Sequence, residues 1–141
     1  MHDHKSLTRF LPVIGRWLLG LPLVVFSVLG LFHPMESPPD LAEGAKAFSQ
    51  ALQATGYMMP MIAIVQLSGG LMLLTNRFVP LGLLLLAPFF LNSVLFHVFL
   101  ERSGLVPSLV FAALELSLAW AYRGVFANVL RARNPTGGRW A

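Results

Sequence analysis

The chain has 141 residues, of which 56% are hydrophobic and only 11% are charged, and its mean hydropathy is +0.71. A soluble domain carries about 25% charged residues, so this composition excludes an ordinary soluble domain. The net charge of +4 and the pI near 10.4 do not indicate a nucleic-acid-binding protein, because the basic residues lie at the edges of apolar segments. The absence of cysteine excludes disulfide exchange, thiol catalysis and thiolate metal sites.

Four apolar segments are long enough to cross a bilayer, which takes about 20 residues as a helix. They cover about 11–32, 57–74, 78–100 and 105–122. None of them alternates between polar and apolar positions, so helices are predicted rather than strands. The last three segments are joined by short connections, which favour antiparallel neighbours. The sequence therefore predicts an all-α membrane protein, with a four-transmembrane-helix antiparallel bundle in 11–123.

The orientation follows from the lysine and arginine residues. Placing both termini and the turn at Asn76 on one side of the membrane collects eight of the ten basic residues there. The positive-inside rule assigns that side to the cytoplasm. Segment 1–10 and the basic tail 124–141 are then cytoplasmic. No small-residue cleavage site ends the first apolar segment, so we expect an uncleaved helix.

The segment 33–56 is expected on the outer side of the membrane. After a proline-rich turn, Asp40 is a plausible N-cap residue for a short amphipathic helix. Its apolar residues recur at helical spacing, at Leu41, Ala45, Phe48 and Leu52. Such a helix either lies on the membrane surface as an anchor or covers the bundle and shelters a site beneath it.

The third apolar segment carries Asn92, Ser93 and His97 among apolar residues. A polar side chain within a membrane span needs a partner or a cavity, so each of these residues is a candidate for function. Helical geometry places them on one arc with Leu85, Phe89 and Phe96. We expect this arc to face protein. The opposite arc, expected to face lipid, consists of Phe90, Leu91, Val94, Leu95 and Val98.

The other segments contribute polar residues that would face the same interior. Gln66 and Gly70 share a face of the second helix, Arg16, Gly20 and Ser27 line up on the first, and Ser108, Glu115, Ala119 and Tyr122 share a stripe on the fourth. The predicted ligand-binding residues are Gln66, Asn92, Ser93, Phe96, His97, Glu115, Tyr122 and His33. No catalytic residue is assigned, and no metal site is predicted.

Each candidate has a structural alternative. Asn92 and Gln66 would serve equally as interhelical hydrogen-bond partners. Glu115 is either a proton carrier or a structural residue, the latter protonated or paired with Arg16. His97, near the outer boundary, is alternatively an interfacial histidine.

Short motifs on three of the helices resemble the DoxX family of small four-helix bacterial membrane proteins. The first helix ends in Gly30-Leu31-Phe32-His33, and the second contains Gln66-Leu67-Ser68-Gly69-Gly70. The third contains Pro88-Phe89-Phe90-Leu91-Asn92 and then Phe96-His97. The resemblance covers roughly 11–123. The chain differs from the family pattern at Gln66, where glutamate is usual, and at His33, where lysine is frequent.

The resemblance implies a bacterial inner-membrane protein linked to redox chemistry, since DoxX-like proteins include subunits of thiosulfate:quinone oxidoreductases. One hypothesis is therefore an accessory subunit that binds a quinone or another lipophilic ligand in the bundle. The sequence holds no cysteine ligands and no nucleotide-binding glycine motif, so electrons would come from a partner oxidoreductase and the chain is not expected to be an enzyme on its own. The alternative is a structural subunit that anchors a larger membrane complex or forms a homo-oligomer.

Overall fold

A computed structural model describes residues 4–33 and 38–129 of the chain, with side chains described for 10–33 and 38–127. Within those ranges the chain is helical and has no strand, which confirms the all-α prediction. The helices are α1 (His4–Phe32), α2 (Glu43–Ala54), α3 (Met58–Leu74), α4 (Val79–Phe99), α5 (Leu105–Ala121) and α6 (Arg123–Val129), and a 3₁₀ turn (Arg102–Gly104) precedes α5.

Three of these segments are long and apolar enough to cross a membrane: Phe10–Phe32 within α1, Val79–Phe99, and Arg102–Ala121. The helix α3 has 17 residues and meets the same test only together with α2. The axes of α2 and α3 differ by 91°. The described part of the chain thus has three helices suited to a membrane, or four if the bent pair forms one span.

The predicted boundaries of the second, third and fourth apolar segments agree with α3, α4 and α5 to within one residue. The first apolar segment, predicted at about 11–32, agrees with the candidate span Phe10–Phe32, and the helix that contains it, α1, begins earlier, at His4. Part of the predicted basic tail is also helical, since α6 extends to Val129. The remainder of that tail, 130–141, lies outside the described residues.

Glycines set the closest helix contacts. A Cβ atom on Gly20 of α1 would lie 3.0 Å from the carbonyl oxygen of Gly70 on α3. A Cβ atom on Gly69 would lie 2.6 Å from Leu86 Cγ of α4. Close approach of this kind drives helix association in lipid, where apolar burial itself gives little preference. Around these contacts lies one apolar core, formed by Leu19, Leu23, Leu73, Val79, Leu83, Leu86, Phe90 and Leu118.

The face of α4 that turns inward differs from the prediction. Phe90, expected to face lipid, is only 4% exposed and belongs to the core. Asn92, expected to face protein, is exposed. The polar residues could not locate the inner face because α4 is apolar on all sides, and the positions of Gly69 and Leu86 locate it instead. Ser93 and His97 remain partly buried, as expected.

The helix α2 forms where the sequence predicted an amphipathic helix, but its N-terminus differs. Ala42 precedes the first turn, and Asp40 lies exposed in the turn before it. The prediction that Asp40 is the N-cap was therefore wrong. The Ala42 amide instead donates to the Glu101 carboxylate at 3.0 Å. Ala45 on the apolar face of α2 is fully buried.

The helical core has two ends, called the Glu101 end and the Arg16 end after a residue in each. The Glu101 end contains α2 and the junction between α4 and α5. The Arg16 end contains Arg16, the turn between α3 and α4 at Asn76, and the end of α5 at Tyr122, which are joined by hydrogen bonds.

Candidate functional site

A cavity of about 630 Å³ lies between the helices in the half of the core nearer the Glu101 end. Its walls come from α1, α3, α4 and α5, and residues around the corner between α2 and α3 close one side. Small-molecule sites in proteins have volumes of about 300–1,000 Å³. The cavity is therefore large enough for a ring-sized ligand.

The cavity forms because small side chains replace large ones at the helix contacts around it. Ala63 on α3 is buried and lines the wall, and Gly30 on α1 has open space where a side chain would be. Phe26 also lines the cavity although it is 57% exposed. A wall residue with that exposure shows that the cavity communicates with the outer surface of the helices, which in a membrane faces lipid.

Four polar side chains lie on the cavity wall, and one of them, Gln53, comes from α2. Gln66 comes from α3, Ser93 from α4 and Ser108 from α5. The Ser93 and Ser108 hydroxyl oxygens are 3.2 Å apart, and either can donate to the other. Serine and glutamine side chains both donate and accept hydrogen bonds. The cavity can thus orient an apolar ligand that carries carbonyl or hydroxyl oxygens.

Aromatic rings form much of the remaining wall. Phe90 and Phe111 stack with ring centroids 6.5 Å apart and an interplanar angle of 18°. Phe89 meets Phe90 edge-on at 5.2 Å. None of the residues that line this cavity in the described part of the chain is charged or is a histidine. The wall offers ring surfaces and neutral hydrogen-bonding groups, and therefore suits binding better than acid–base chemistry.

The structure brings only some of the predicted ligand-binding residues to this cavity. Gln66 and Ser93 line it. Asn92 and Phe96 line a separate depression of about 240 Å³ between α4 and α2. Phe96 contacts the Phe48 ring of α2 there, with centroids 5.5 Å apart. These four residues therefore lie at two different places and do not form one site.

His97 lies at the junction between α4 and α5, away from the cavity. Its Nδ1 atom is 2.8 Å from the Glu101 carbonyl oxygen, within hydrogen-bond distance. Its ring also fills the space beside Gly104, where a Cβ atom would overlap the imidazole Cε1. His97 thus holds the turn that positions Glu101, a role the sequence did not predict.

Glu101 fastens α2 to this junction. One carboxylate oxygen accepts from the Ala42 amide at 3.0 Å, and the other accepts from the Ser103 amide at 3.1 Å. Hydrogen bonds from the Ala42 amide and then from Ser103 hold the pKa of Glu101 below its usual value of 4.5. At the opposite end of α2, Gly56 has a φ of +72°, which favours glycine. Gln53 of α2 and Gly56, just after it, line the cavity, so the Glu101 contact holds in place a helix that forms part of the cavity wall.

Removing the charge of Glu101 is expected to loosen α2. We expect Glu101→Gln to raise the amide hydrogen-exchange rate of Glu43–Ala54 roughly threefold, the scale of an exposed charged contact. Because the pKa of Glu101 is lower in the folded protein than in the unfolded chain, its contact stabilises the fold at pH values above 4.5. This stabilisation is lost as the pH falls through the pKa of Glu101 in the folded protein, which lies below 4.5. In the wild type, exchange corrected for the intrinsic rate should therefore rise only under acid conditions.

The control for this experiment is Asp40→Asn. Asp40→Asn also removes one carboxylate charge, and Asp40 lies just before α2. Its side chain, however, makes no capping hydrogen bond to α2. Its exchange should match the wild type. Equal acceleration in both variants would show that the Glu101 contact does not hold α2.

Glu115 is buried on α5, 6% exposed, and its Oε1 atom has no hydrogen-bond partner among the described residues. Arg16 is not its ion-pair partner within the described chain, because the Arg16 guanidinium bonds to Asn76 and Tyr122 instead. The alternative of an Arg16–Glu115 pair was therefore wrong. Glu115 does not line the cavity.

The last two predicted residues lie at opposite ends of the core. The Tyr122 hydroxyl, at the end of α5, accepts from Arg16 Nη1 at 3.2 Å. His33 lies exposed just after α1. Neither residue lines the cavity.

The prediction omitted most residues that line the cavity, among them Phe90, Phe111 and Ser108. Phe90 was missed because it was assigned to the lipid side of its helix, and Phe111 because only the polar members of its stripe on α5 were considered. Ser108 stands seven residues before Glu115 on the stripe noted in the sequence, which was the available signal. Its position opposite Ser93 became evident only from the packing of α4 against α5.

Fold and site together define an all-helical protein with three or four helices suited to a membrane and an uncharged internal cavity between them. No protein-family model, curated protein or solved structure matches the chain. The resemblance to the DoxX family stays a prediction.

Proposed function

We propose that the protein is an integral membrane protein with four antiparallel spans and both termini in the cytoplasm of a bacterial cell. The contacts support this arrangement: as residue numbers rise from Gly20 to Val24 on α1, their partners on α3 fall from Leu74 to Gly70. Ser93 opposite Ser108 and Phe90 opposite Phe111 support the same relation for α4 and α5. The orientation rests on the basic residues of the sequence, since this arrangement would bring eight of the ten to the side of the Arg16 end.

We further propose that the cavity binds a lipophilic ring compound that carries carbonyl or hydroxyl oxygens, such as a quinone. The observation that supports this most is the cavity itself, about 630 Å³ in volume and lined by phenylalanine rings with Gln66, Ser93 and Ser108. The amide and hydroxyl groups would donate to the ligand oxygens, and the rings would stack on the ligand ring. An isoprenoid tail would leave beside Phe26, on the lipid side.

The proposed biological role is that of an accessory subunit in a membrane redox system, which the DoxX resemblance implies. With no cysteine in the sequence, thiolate-bound iron–sulfur clusters are excluded for this chain. The subunit would hold the ligand while a membrane or membrane-associated oxidoreductase supplies the electrons. The ligand would then be the point at which the two proteins meet.

The test is purification in a mild detergent, followed by solvent extraction and mass analysis of bound quinone. We expect quinone to accompany the wild type in near-stoichiometric amount. The double variant Gln66→Leu/Ser93→Ala should bind quinone roughly thirtyfold more weakly and retain correspondingly less, because it removes two hydrogen-bonding groups worth about 1 kcal/mol each. The double variant Asn92→Leu/Ser117→Ala makes matched changes at exposed positions and should retain the wild-type amount.

Two results would contradict the ligand proposal. One is the absence of any lipophilic compound from the wild type, together with no binding of added quinone. The other is equal quinone retention by the two double variants. Either result would favour the structural role, in which the protein anchors a larger complex.

A further inference from the structure

Arg16 is an unusual residue for the end of a membrane helix because it is buried, with 8% exposure. Its Nη1 atom donates to the Asn76 side-chain oxygen and to the Tyr122 hydroxyl, the latter at 3.2 Å. Its Nε atom is buried and has no hydrogen-bond partner among the described residues. The guanidinium is thus held by neutral groups and keeps donor capacity unused.

The Arg16 guanidinium also forms no ion pair with the described residues. The ion pair found there joins Lys46 to Glu43, which belong to α2 at the Glu101 end. A buried guanidinium without an anion is unfavourable, because desolvation removes the hydration of the charge. An anion at the Arg16 end would supply the missing partner.

Two more arginines lie at the same end, next in sequence to the two side chains that bind Arg16. Arg77 follows Asn76 and Arg123 follows Tyr122, and both arginines are exposed. The Arg123 guanidinium lies 5.1 Å from the centre of the Trp120 ring. Trp120 is 71% exposed, and tryptophan favours the membrane–water interface. The Arg16 end therefore has the residues expected at the level of lipid head groups.

We propose that the Arg16 end binds a phosphate group, carried by an anionic phospholipid head group or by free phosphate. Asn76 and Tyr122 fix the guanidinium of Arg16, which is the charged floor of the site. Arg77 and Arg123 supply exposed positive charge at its rim. Arginine suits this task because its planar donors match phosphate oxygens, and basic sites between helices at a membrane surface bind such head groups. This site is separate from the cavity and does not depend on the proposed ligand there.

The test uses native mass spectrometry of the full chain, purified in a neutral detergent and titrated with phosphatidylglycerol or, separately, with inorganic phosphate. Phosphatidylcholine serves as the neutral lipid. We expect phosphatidylglycerol to bind the wild type at least about tenfold more tightly than phosphatidylcholine. Arg16→Gln should remove this preference. Arg102→Gln makes the same change at an exposed position of the Glu101 end and should keep it.

A second variant covers the case in which Arg16→Gln does not fold. Arg77→Gln/Arg123→Gln changes only exposed side chains and should weaken phosphatidylglycerol binding several-fold. Competition by millimolar inorganic phosphate would support the site with free phosphate as its ligand, and resistance to competition would support the lipid head group. Equal affinity for both lipids in the wild type, with no phosphate bound, would overturn the proposal. The proposal would also be overturned if the Arg16 variant and the double variant both bound phosphatidylglycerol as tightly as the wild type. If Arg16→Gln does not fold, wild-type affinity in the double variant would be sufficient to overturn it.

Discussion

Replacing Gly70 by leucine is expected to destabilise the protein by roughly 3 kcal/mol, the upper end of the usual cost of overpacking. A Cβ atom at this position would lie 2.9 Å from Val24 Cγ2 and 3.1 Å from the Gly20 carbonyl oxygen. The Gly20 oxygen belongs to the backbone of α1 and cannot move aside as the end of a side chain can. Gly70→Leu would therefore push α1 away from α3, which unfolding in mixed detergent micelles, followed by circular dichroism, would detect.

The matched control is Gly30→Leu, also in a helix. A Cβ atom at Gly30 meets nothing within 4 Å, so its stability should equal or slightly exceed that of the wild type, because leucine favours helix more than glycine does by nearly 1 kcal/mol. A Gly70 variant as stable as the Gly30 variant would show that the close contact between α1 and α3 is not present in the membrane protein.

The second large effect is expected from filling the cavity. Ala63→Phe places a ring on α3 in the space proposed for the ligand. Ala63 lies about one helical turn from Gln66 on the same helix. We expect bound quinone to fall by roughly tenfold or more, since a ligand cannot share the volume with the new ring. Mass analysis of solvent extracts measures this loss, and thermal unfolding of the same samples shows that the fold is retained.

Ala113→Phe is the control for cavity filling, because Ala113 is an exposed residue of α5 that does not line the cavity. It should bind as much quinone as the wild type. Undiminished quinone in folded Ala63→Phe would place the ligand elsewhere. Equal losses of bound quinone in both variants would mean that an added phenylalanine ring lowers binding wherever it is placed, and not because it fills the cavity.

The α4 helix shows how far sequence reasoning reached. Its existence and its limits followed from an uninterrupted apolar segment, and Ser93, singled out there for its polarity, lies on the cavity wall. Its inner face did not follow, since Phe90 is buried and Asn92 is exposed. In water, polar residues mark the outer face of a helix, whereas in lipid both faces of α4 are apolar and the pattern carries little information.

The candidate site shows the same limit. Gln66 and Ser93 were predicted from their polarity alone, and both line the cavity. His97 and Asn92 have the same kind of signal, yet they lie at the Glu101 end outside it. Polarity shows that a residue in an apolar segment needs a partner. It does not show which partner the residue has, because that depends on the rotation and depth of the neighbouring helix.

The sequence by itself determined the helical class, the apolar segments suited to a membrane and the amphipathic helix α2. Each of these depends on the composition or periodicity of consecutive residues. Only the tertiary structure decided that Glu101 binds the start of α2, that Arg16 bonds to Asn76 and Tyr122 rather than to Glu115, and that a cavity lies between α1, α3, α4 and α5. These contacts join residues distant in sequence, and their geometry follows from where the glycines let the helices approach.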